Sequence, residues 1–133
     1  AVGGRPERHA LAALFGARPG DPSDADVVIE AAGTAAARQR ALDLVQPGGT
    51  VVLLGAPEPN ERLGADARRL RDEELTLRGS FGHAPRHVQA ALAFLASRAY
   101  PWERLITHEV DLQGLPSLLA HPPGDLMKAA VRP

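Results

Sequence analysis

The sequence contains no cysteine among its 133 residues, and only 4% of the residues are aromatic. The lack of cysteine excludes a disulfide scaffold and every thiolate metal site. Fifteen basic residues stand against 16 acidic ones, so charge gives no reason to expect binding to nucleic acid or to an anionic membrane. No apolar run approaches the roughly 20 residues that a membrane-spanning helix needs. We therefore expect a soluble, cytoplasmic, globular protein.

Motifs for hydrolytic or metal chemistry are also scarce. No Gly-x-Ser-x-Gly pattern of a nucleophile elbow occurs, which argues against a hydrolase. The five histidines are scattered, and only His83 and His87 have helical spacing, which disfavours a metal site. Asp72, Glu73 and Glu74 could serve acid–base chemistry, but they lie in a polar connection, so a solvated face is the favoured interpretation.

The sequence does contain short β-branched apolar runs that alternate with helical patterns. Residues 26–30 and 50–54 are typical of strands covered on both faces of a parallel sheet, and residues 35–45 between them predict a helix. Pro47-Gly48-Gly49 is expected to end that helix and reverse the chain. This order is one βαβ unit, whose strands run parallel. The fold class is therefore α/β.

The rest of the chain predicts further helices and strands joined by polar segments. A helix starts at Pro6 and ends before Gly16, whereas residues 57–74 predict a polar connection. The alternating pattern of residues 75–81 suits a strand at a sheet edge. The helix predicted at residues 85–99 would bury Val88, Ala91, Leu92 and Leu95. The remaining elements are a strand at 105–110, a helix at 115–119 and a strand at 127–131.

Several of these segments, in order, resemble one enzyme family. Residues 26–33 (Asp-Val-Val-Ile-Glu-Ala-Ala-Gly) and 41–55, which contain Pro-Gly-Gly-Thr-Val-Val-Leu-Leu-Gly, resemble the cofactor domain of medium-chain, zinc-type alcohol dehydrogenases. Residues 74–81 are similar to the last strand of that domain, and residues 105–110 and 125–131 to the return into the catalytic domain. The resemblance implies a partial Rossmann-like, doubly wound parallel sheet over residues 1–81 and a return segment over residues 82–133.

The tetrapeptide Gly3-Gly4-Arg5-Pro6 stands where a strand would give way to a helix. In dinucleotide-binding folds an acid at this place binds the ribose 2′-hydroxyl, whereas small residues with an arginine accommodate a 2′-phosphate. An arginine is suited to this role because its charged donors form a planar fork. Taken alone, the tetrapeptide is a weak signal, and a glycine turn beside a surface arginine is the favoured interpretation. It is similar to the NADP-preferring branch of the family, which lacks the acid.

The resemblance also implies which residues line the cofactor. Gly4 and Arg5 would meet the 2′-phosphate, and Lys128 would lie near the cofactor phosphates, with an exposed strand-end lysine as the alternative. Leu54 and Phe81 could instead belong to the core. The full implied set is Gly3, Gly4, Arg5, Glu30, Ala31, Ala32, Leu54, Gly55, Ala56, Gly79, Ser80, Phe81 and Lys128. We assign no catalytic residue and no metal ligand to this chain.

Features that the family places before these segments are missing. The sequence has no G-x-G-x-x-G, the backbone cradle that holds a pyrophosphate at a helix N-terminus. We therefore expect a C-terminal fragment that is inactive alone, from an NADP-dependent alcohol or polyol dehydrogenase or reductase, with NAD less favoured and any zinc bound upstream. The full-length enzyme would act on a small alcohol or carbonyl compound and form a homo-oligomer. A methyltransferase C-terminus using S-adenosylmethionine and a non-catalytic nucleotide-binding remnant remain alternatives.

Overall fold

The computed structural model describes residues 4–20 and 22–133, and these residues form two compact units. The central unit runs to His83 from the residues that follow Gly20, and the terminal unit joins the chain up to Gly20 with Ala84–Pro133. Gly3, part of the predicted phosphate site, lies outside the described residues. The predicted assignment of residues 1–81 and 82–133 to two domains of a larger enzyme stays a prediction.

The central unit is a parallel sheet with helices between its strands. Its elements are β1 (Ala25–Glu30), α2 (Ala35–Leu44), β2 (Val45–Leu53), α3 (Ala67–Asp72) and β3 (Thr76–Gly79). The strand order is β1-β2-β3, and both pairs are parallel, which confirms the α/β class and the βαβ unit. The strand predicted at a sheet edge is β3, and it lies at one edge of this sheet.

The terminal unit carries a second, smaller sheet. Its elements are α1 (Pro6–Leu14), α4 (Pro85–Ala96), a 3₁₀ turn (Trp102–Leu105), β4 (Ile106–Asp111), α5 (Leu115–Ala120) and β5 (Lys128–Arg132). Strands β4 and β5 pair in parallel. Four aromatic rings pack in this unit: Trp102 lies with ring centroids 5.4 Å from Phe15 and 5.0 Å from Phe94, and Tyr100 contacts all three. Most of the chain's few aromatic residues thus serve one cluster.

The core of the central unit lies between α2 and one face of the sheet. Ala41, Leu42, Val45 and Val51 are buried there, and Val51 is fully inaccessible. The prediction that β1 is covered on both faces is wrong, because Val27 is 58% exposed and Ile29 is 62% exposed. Side chains alternate between the faces of a strand, and in the described part of the chain α2 covers the face opposite to these two.

The helix α4 also differs from its prediction. Val88, Ala91, Leu92 and Leu95, which were expected to be buried, are all exposed. The amphipathic pattern identified the helix correctly, but burial also needs a facing element, and Val88, Leu92 and Leu95 keep 43%, 61% and 47% of their surface exposed. The sequence pattern therefore predicted the helix but not the burial of its side chains.

Two further predictions near the sheet are corrected. Pro47-Gly48-Gly49 lies inside β2, because Val45 already pairs with Ala25 before the register shifts to Val27 and Thr50. Gly48, at φ +77°, donates its N–H to the Glu73 carbonyl at 2.7 Å, which anchors this irregular stretch. The predicted polar connection at 57–74 contains the helix α3.

The short helix α3 is stabilised locally rather than by an apolar face. The Asp66 side chain caps its N-terminus by accepting the N–H groups of Arg68 and Arg69. Arg68 pairs with Asp72 at 3.3 Å and Arg69 pairs with Glu73 at 2.9 Å, both four residues apart. A six-residue helix held by such pairs shows no hydrophobic periodicity in the sequence.

The turn after β1 and the segment after β2 are packed against each other without spare space. A Cβ on Gly55 would lie 2.2 Å from the Gly33 nitrogen, and a Cβ on Gly33 would lie 2.5 Å from the Ala56 carbonyl oxygen. Gly33 also has φ +78°, a conformation that side chains disfavour. Glycine is therefore required at both positions.

We expect Gly55→Ala to destabilise the protein by about 1–3 kcal/mol, the usual cost of forcing an extra group into a packed region. The neighbours are backbone atoms of Gly33, which cannot rotate aside. Chemical denaturation of the variant measures this change. The matched control is Gly64→Ala, where a Cβ meets nothing within 4 Å and stability should be unchanged. Equal stability of the two variants would contradict the packing.

A second prediction concerns the pair that joins β4 to β5. Arg132 donates two hydrogen bonds to the Glu109 carboxylate, at 2.6 and 2.7 Å, and these hold the pKa of Glu109 below its ordinary value of 4.5. A carboxyl whose pKa is lowered on folding stabilises the fold above its unfolded pKa, and this contribution is lost as the pH falls through the folded pKa.

We therefore expect Arg132→Gln to lower the urea midpoint slightly at neutral pH and to have no effect in strong acid, where Glu109 is protonated in both proteins. The effect is small because the pair is exposed and screened. Arg86→Gln, which removes an exposed arginine of α4, is the control. An Arg132 effect of the same size at both pH values would refute this interpretation.

Candidate functional site

The first candidate region is the edge of the central sheet where its parallel strands end. The register places Glu30, Leu53 and Gly79 side by side across β1, β2 and β3. Ser80 continues the alignment by donating its N–H to the Leu53 carbonyl at 3.0 Å. Ligands of open α/β sheets bind outside the carboxyl ends of the strands.

The structure brings the central part of the predicted set together at this edge. These residues lie at the strand ends or within three positions of them: Glu30, Ala31, Ala32, Leu54, Gly55, Ala56, Gly79, Ser80 and Phe81. Sequence reasoning left Leu54 and Phe81 as possible core residues, but Leu54 is 53% exposed and Phe81 is fully exposed. Both therefore present apolar surface beside the strand ends.

Glu30 is buried, with 3% of its surface exposed, and its side chain supports the edge from within. One carboxylate oxygen, Oε1, accepts the N–H groups of Ala32 and Gly33, both at 2.7 Å. Its backbone carbonyl accepts the N–H groups of Leu54 and Gly55 at 2.8 and 3.0 Å. Glu30 thus links the turn after β1 to the segment after β2, and its carboxylate is engaged within the protein.

A buried arginine completes this network. Arg38 of α2 is only 6% exposed, and its Nη1 lies 3.8 Å from Oε2 of Glu30. Its Nη2 forms an ion pair with Glu61, which belongs to the segment between β2 and α3. The Arg38 guanidinium holds the pKa of Glu61 below its ordinary value, so this carboxyl is charged at neutral pH. Sequence reasoning missed Arg38 and Glu61, because nothing in their spacing indicates that they meet.

The second candidate region lies in the terminal unit, at the start of α1. Gly4 has φ +90°, and Arg5 follows in extended conformation as the residue before the first helical turn. The Arg5 carbonyl accepts the N–H groups of Arg8 and His9, whereas its exposed side chain makes no capping bond. The guanidinium of Arg5 therefore projects from a fixed backbone.

A groove of about 460 Å³ in the same unit holds the last predicted residue, Lys128. Two cations stand in a mainly apolar lining made by α1, the 3₁₀ turn and the start of β5: Arg8, Leu11, Ala12, Phe15, Leu105, Met127 and Lys128. Arg8 was not predicted. It lies three residues after Arg5, the extended residue that precedes α1, so a second arginine close to the helix start is the signal that the sequence does contain.

The described residues do not fit a zinc ion. Across residues 4–20 and 22–133, no three His, Asp or Glu side chains gather as a metal site needs. His87 accepts the N–H of Ala84 at 3.2 Å, and Nε2 of His108 lies 3.8 Å from Asp125. Asp72 and Glu73, two of the three acid–base candidates, are engaged by arginines of α3. We derive no chemical step through zinc from these residues.

Comparison with known proteins gives one family. Residues 8–97 match the family model described as zinc-binding dehydrogenase. A protein from Sinorhizobium meliloti 1021 assigned as a zinc-binding dehydrogenase, whose structure is bound to NADP, is 28% identical with a TM-score of 0.89. That match covers 99% of this chain and 44% of the other.

Two further solved structures agree with this assignment. An alcohol dehydrogenase from Thermus sp. ATN1 is 30% identical with a TM-score of 0.79, over 99% of this chain and 43% of the other. The 2R,3R-butanediol dehydrogenase of Bacillus subtilis shares the fold at 22% identity and a TM-score of 0.81, over 100% of this chain and 43% of the other. The chain thus spans less than half the length of these structures. Among the described helices, none is long and apolar enough to cross a membrane.

Proposed function

This chain belongs to the zinc-binding dehydrogenase family, and we propose that it forms part of the NADP-binding region of an oxidoreductase. The observation that carries the proposal is the NADP-bound structure that matches 99% of the chain at 28% identity. We further propose that the whole enzyme transfers hydride between an alcohol or polyol carbon and the nicotinamide, acts on a small alcohol or carbonyl compound, and forms a homo-oligomer in the cytoplasm. No observation favours the methyltransferase alternative, because the matched family consists of dehydrogenases.

The residues of the terminal unit would bind the charged parts of the cofactor. Arg5 offers a charged donor fork, and Gly4 beside it leaves room for a 2′-phosphate. Arg8 and Lys128 place two positive charges in an apolar groove, a combination suited to phosphates attached to a ribose or a base. These groups bind and orient the cofactor and take no part in proton transfer.

The carboxyl edge of the central unit would form a surface beside the nicotinamide, which is the reacting end of the cofactor. We call this surface the wall. Leu54 and Phe81 expose apolar side chains, and Gly55, Gly79 and Ser80 present backbone close to them. Apolar surface there would exclude water from the nicotinamide, whose C4 accepts the hydride when the cofactor is bound. In this proposal the chain alone binds the cofactor and does not oxidise an alcohol.

We expect Arg5→Ala to weaken NADPH binding roughly ten- to hundredfold and to leave NADH binding unchanged. The size of the effect follows from the loss of a hydrogen bond to a charged group. NADH binding is unchanged because NADH has no 2′-phosphate for Arg5 to contact. Isothermal titration of both nucleotides measures the change, with Arg86→Ala as the matched control. If Arg5→Ala leaves the NADPH-over-NADH preference unaltered, the phosphate site is wrongly placed. Binding of S-adenosylmethionine instead of NADPH would contradict the proposed function itself.

Substitutions in the groove should affect both dinucleotides, unlike the substitution of Arg5. We expect Arg8→Ala and Lys128→Ala to weaken NADPH and NADH binding by similar factors, because the groove would hold phosphates that both dinucleotides share. Arg104→Ala removes an exposed cation of the same unit that does not line the groove and should change neither affinity. If the groove variants lose NADPH binding but keep NADH binding, the 2′-phosphate site lies in this groove and not at Arg5.

A further inference from the structure

Arg38 stands between carboxylates of two separate segments. It is buried on α2, and it faces Glu30 at the end of β1 and Glu61 in the segment between β2 and α3. A buried guanidinium is costly to desolvate unless it is paired, so these two carboxylates compensate its charge. Arg38 therefore connects α2 to both segments through its two carboxylate partners.

Glu61 lies in a turn that leaves one of its carboxylate oxygens facing Arg38. Its Oε2 accepts the N–H of Glu58 at 3.1 Å, and its own N–H donates to the Glu58 carbonyl at the same distance. These two bonds close a small turn, while Oε1 faces Arg38. The turn lies outside the helices and strands, and the side chain of Glu61 connects it to Arg38 of α2.

The segment between Leu54 and Glu61 is consequently fixed at both ends. At its start, the N–H groups of Leu54 and Gly55 bond to the Glu30 carbonyl. At its end, Glu61 pairs with Arg38, which also faces the Glu30 carboxylate. Between these points lie Gly55 and Ala56, which pack directly on Gly33. Both anchors thus lead to the carboxyl end of β1.

We propose that Arg38 is a positioning residue that holds the segment from Leu54 to Glu61 against the carboxyl edge of the sheet. In this way it gives the wall beside the reacting end of the cofactor its shape before the cofactor binds. The proposal rests on the function proposed above. Arg38 itself touches neither cofactor nor substrate, and its effect on binding arises because a preorganised wall loses less entropy when the ligand arrives.

The experiment is hydrogen exchange of the cofactor-free protein, followed by NADPH titration. Glu61→Gln is the main variant, because glutamine keeps an oxygen for the Glu58 N–H and leaves Arg38 paired with Glu30. Arg38→Lys is the second, since an ammonium lacks the fork that reaches both carboxylates. Arg68→Gln is the control, because it removes an arginine of the same unit whose side chain is 81% exposed.

We expect the amides of Glu58 and Glu61 to exchange about tenfold faster or more in both main variants, with Leu54 and Gly55 unchanged. In the wild type, the protection of the Glu58 and Glu61 amides from exchange should also disappear as acid protonates Glu61. The groups that face the Glu61 carboxylate are Arg38 and, within its own turn, Glu58. In Glu61→Gln the protection should not depend on pH, a difference that a purely steric role would not produce. Unchanged exchange in both main variants would overturn the proposal.

The titration then tests the connection to binding. Glu61→Gln should bind NADPH several-fold more weakly than Arg68→Gln, and bound NADPH should slow the exchange of Glu58 and Glu61 again. Faster exchange with unaltered NADPH affinity would overturn the positioning role. If the wild type binds no NADPH, the proposed function fails, whereas the exchange of the free protein still decides whether Arg38 holds the segment.

Discussion

The carboxylate of Glu30 lies where β1 ends, and most of the ordered features at the carboxyl edge depend on it. Its oxygens face two backbone N–H groups of the following turn and the guanidinium of Arg38, and its backbone carbonyl accepts two more N–H groups from the segment after β2. A charge buried this deeply is tolerated only where such partners surround it. The hydrogen bonds of Oε1 and of the backbone carbonyl therefore tie both segments to the end of β1.

The two units carry different chemistry. The terminal unit supplies cations, Arg5 on a fixed backbone and Arg8 with Lys128 in a groove, whereas the central unit supplies apolar side chains and close-packed glycines. Charge-assisted donors of the first kind suit phosphate groups, and a dry apolar surface of the second kind suits an uncharged reacting ring.

Much of the fold could be predicted because its signals are local. The β-branched runs that became β1 and β2 and the amphipathic pattern of α4 identified their elements from a few neighbouring residues. The helix α3 could not be found in this way, since an aspartate cap and arginine pairs hold it rather than an apolar stripe. The path of Pro47-Gly48-Gly49 was missed for a related reason, because a pairing with Ala25 across the sheet places it inside β2.

For the site, the sequence by itself determined which residue types are present: glycines and an arginine at the start of α1, small residues after each strand, and no cysteine to bind a metal. The tertiary structure alone decided their exposure and their partners. It turned Glu30 inward, exposed Leu54 and Phe81, placed Arg8 beside Lys128 in a groove, and joined Arg38 to Glu61. The physical reason is that exposure and ion pairing depend on contacts between segments distant in sequence, and no local pattern encodes those contacts.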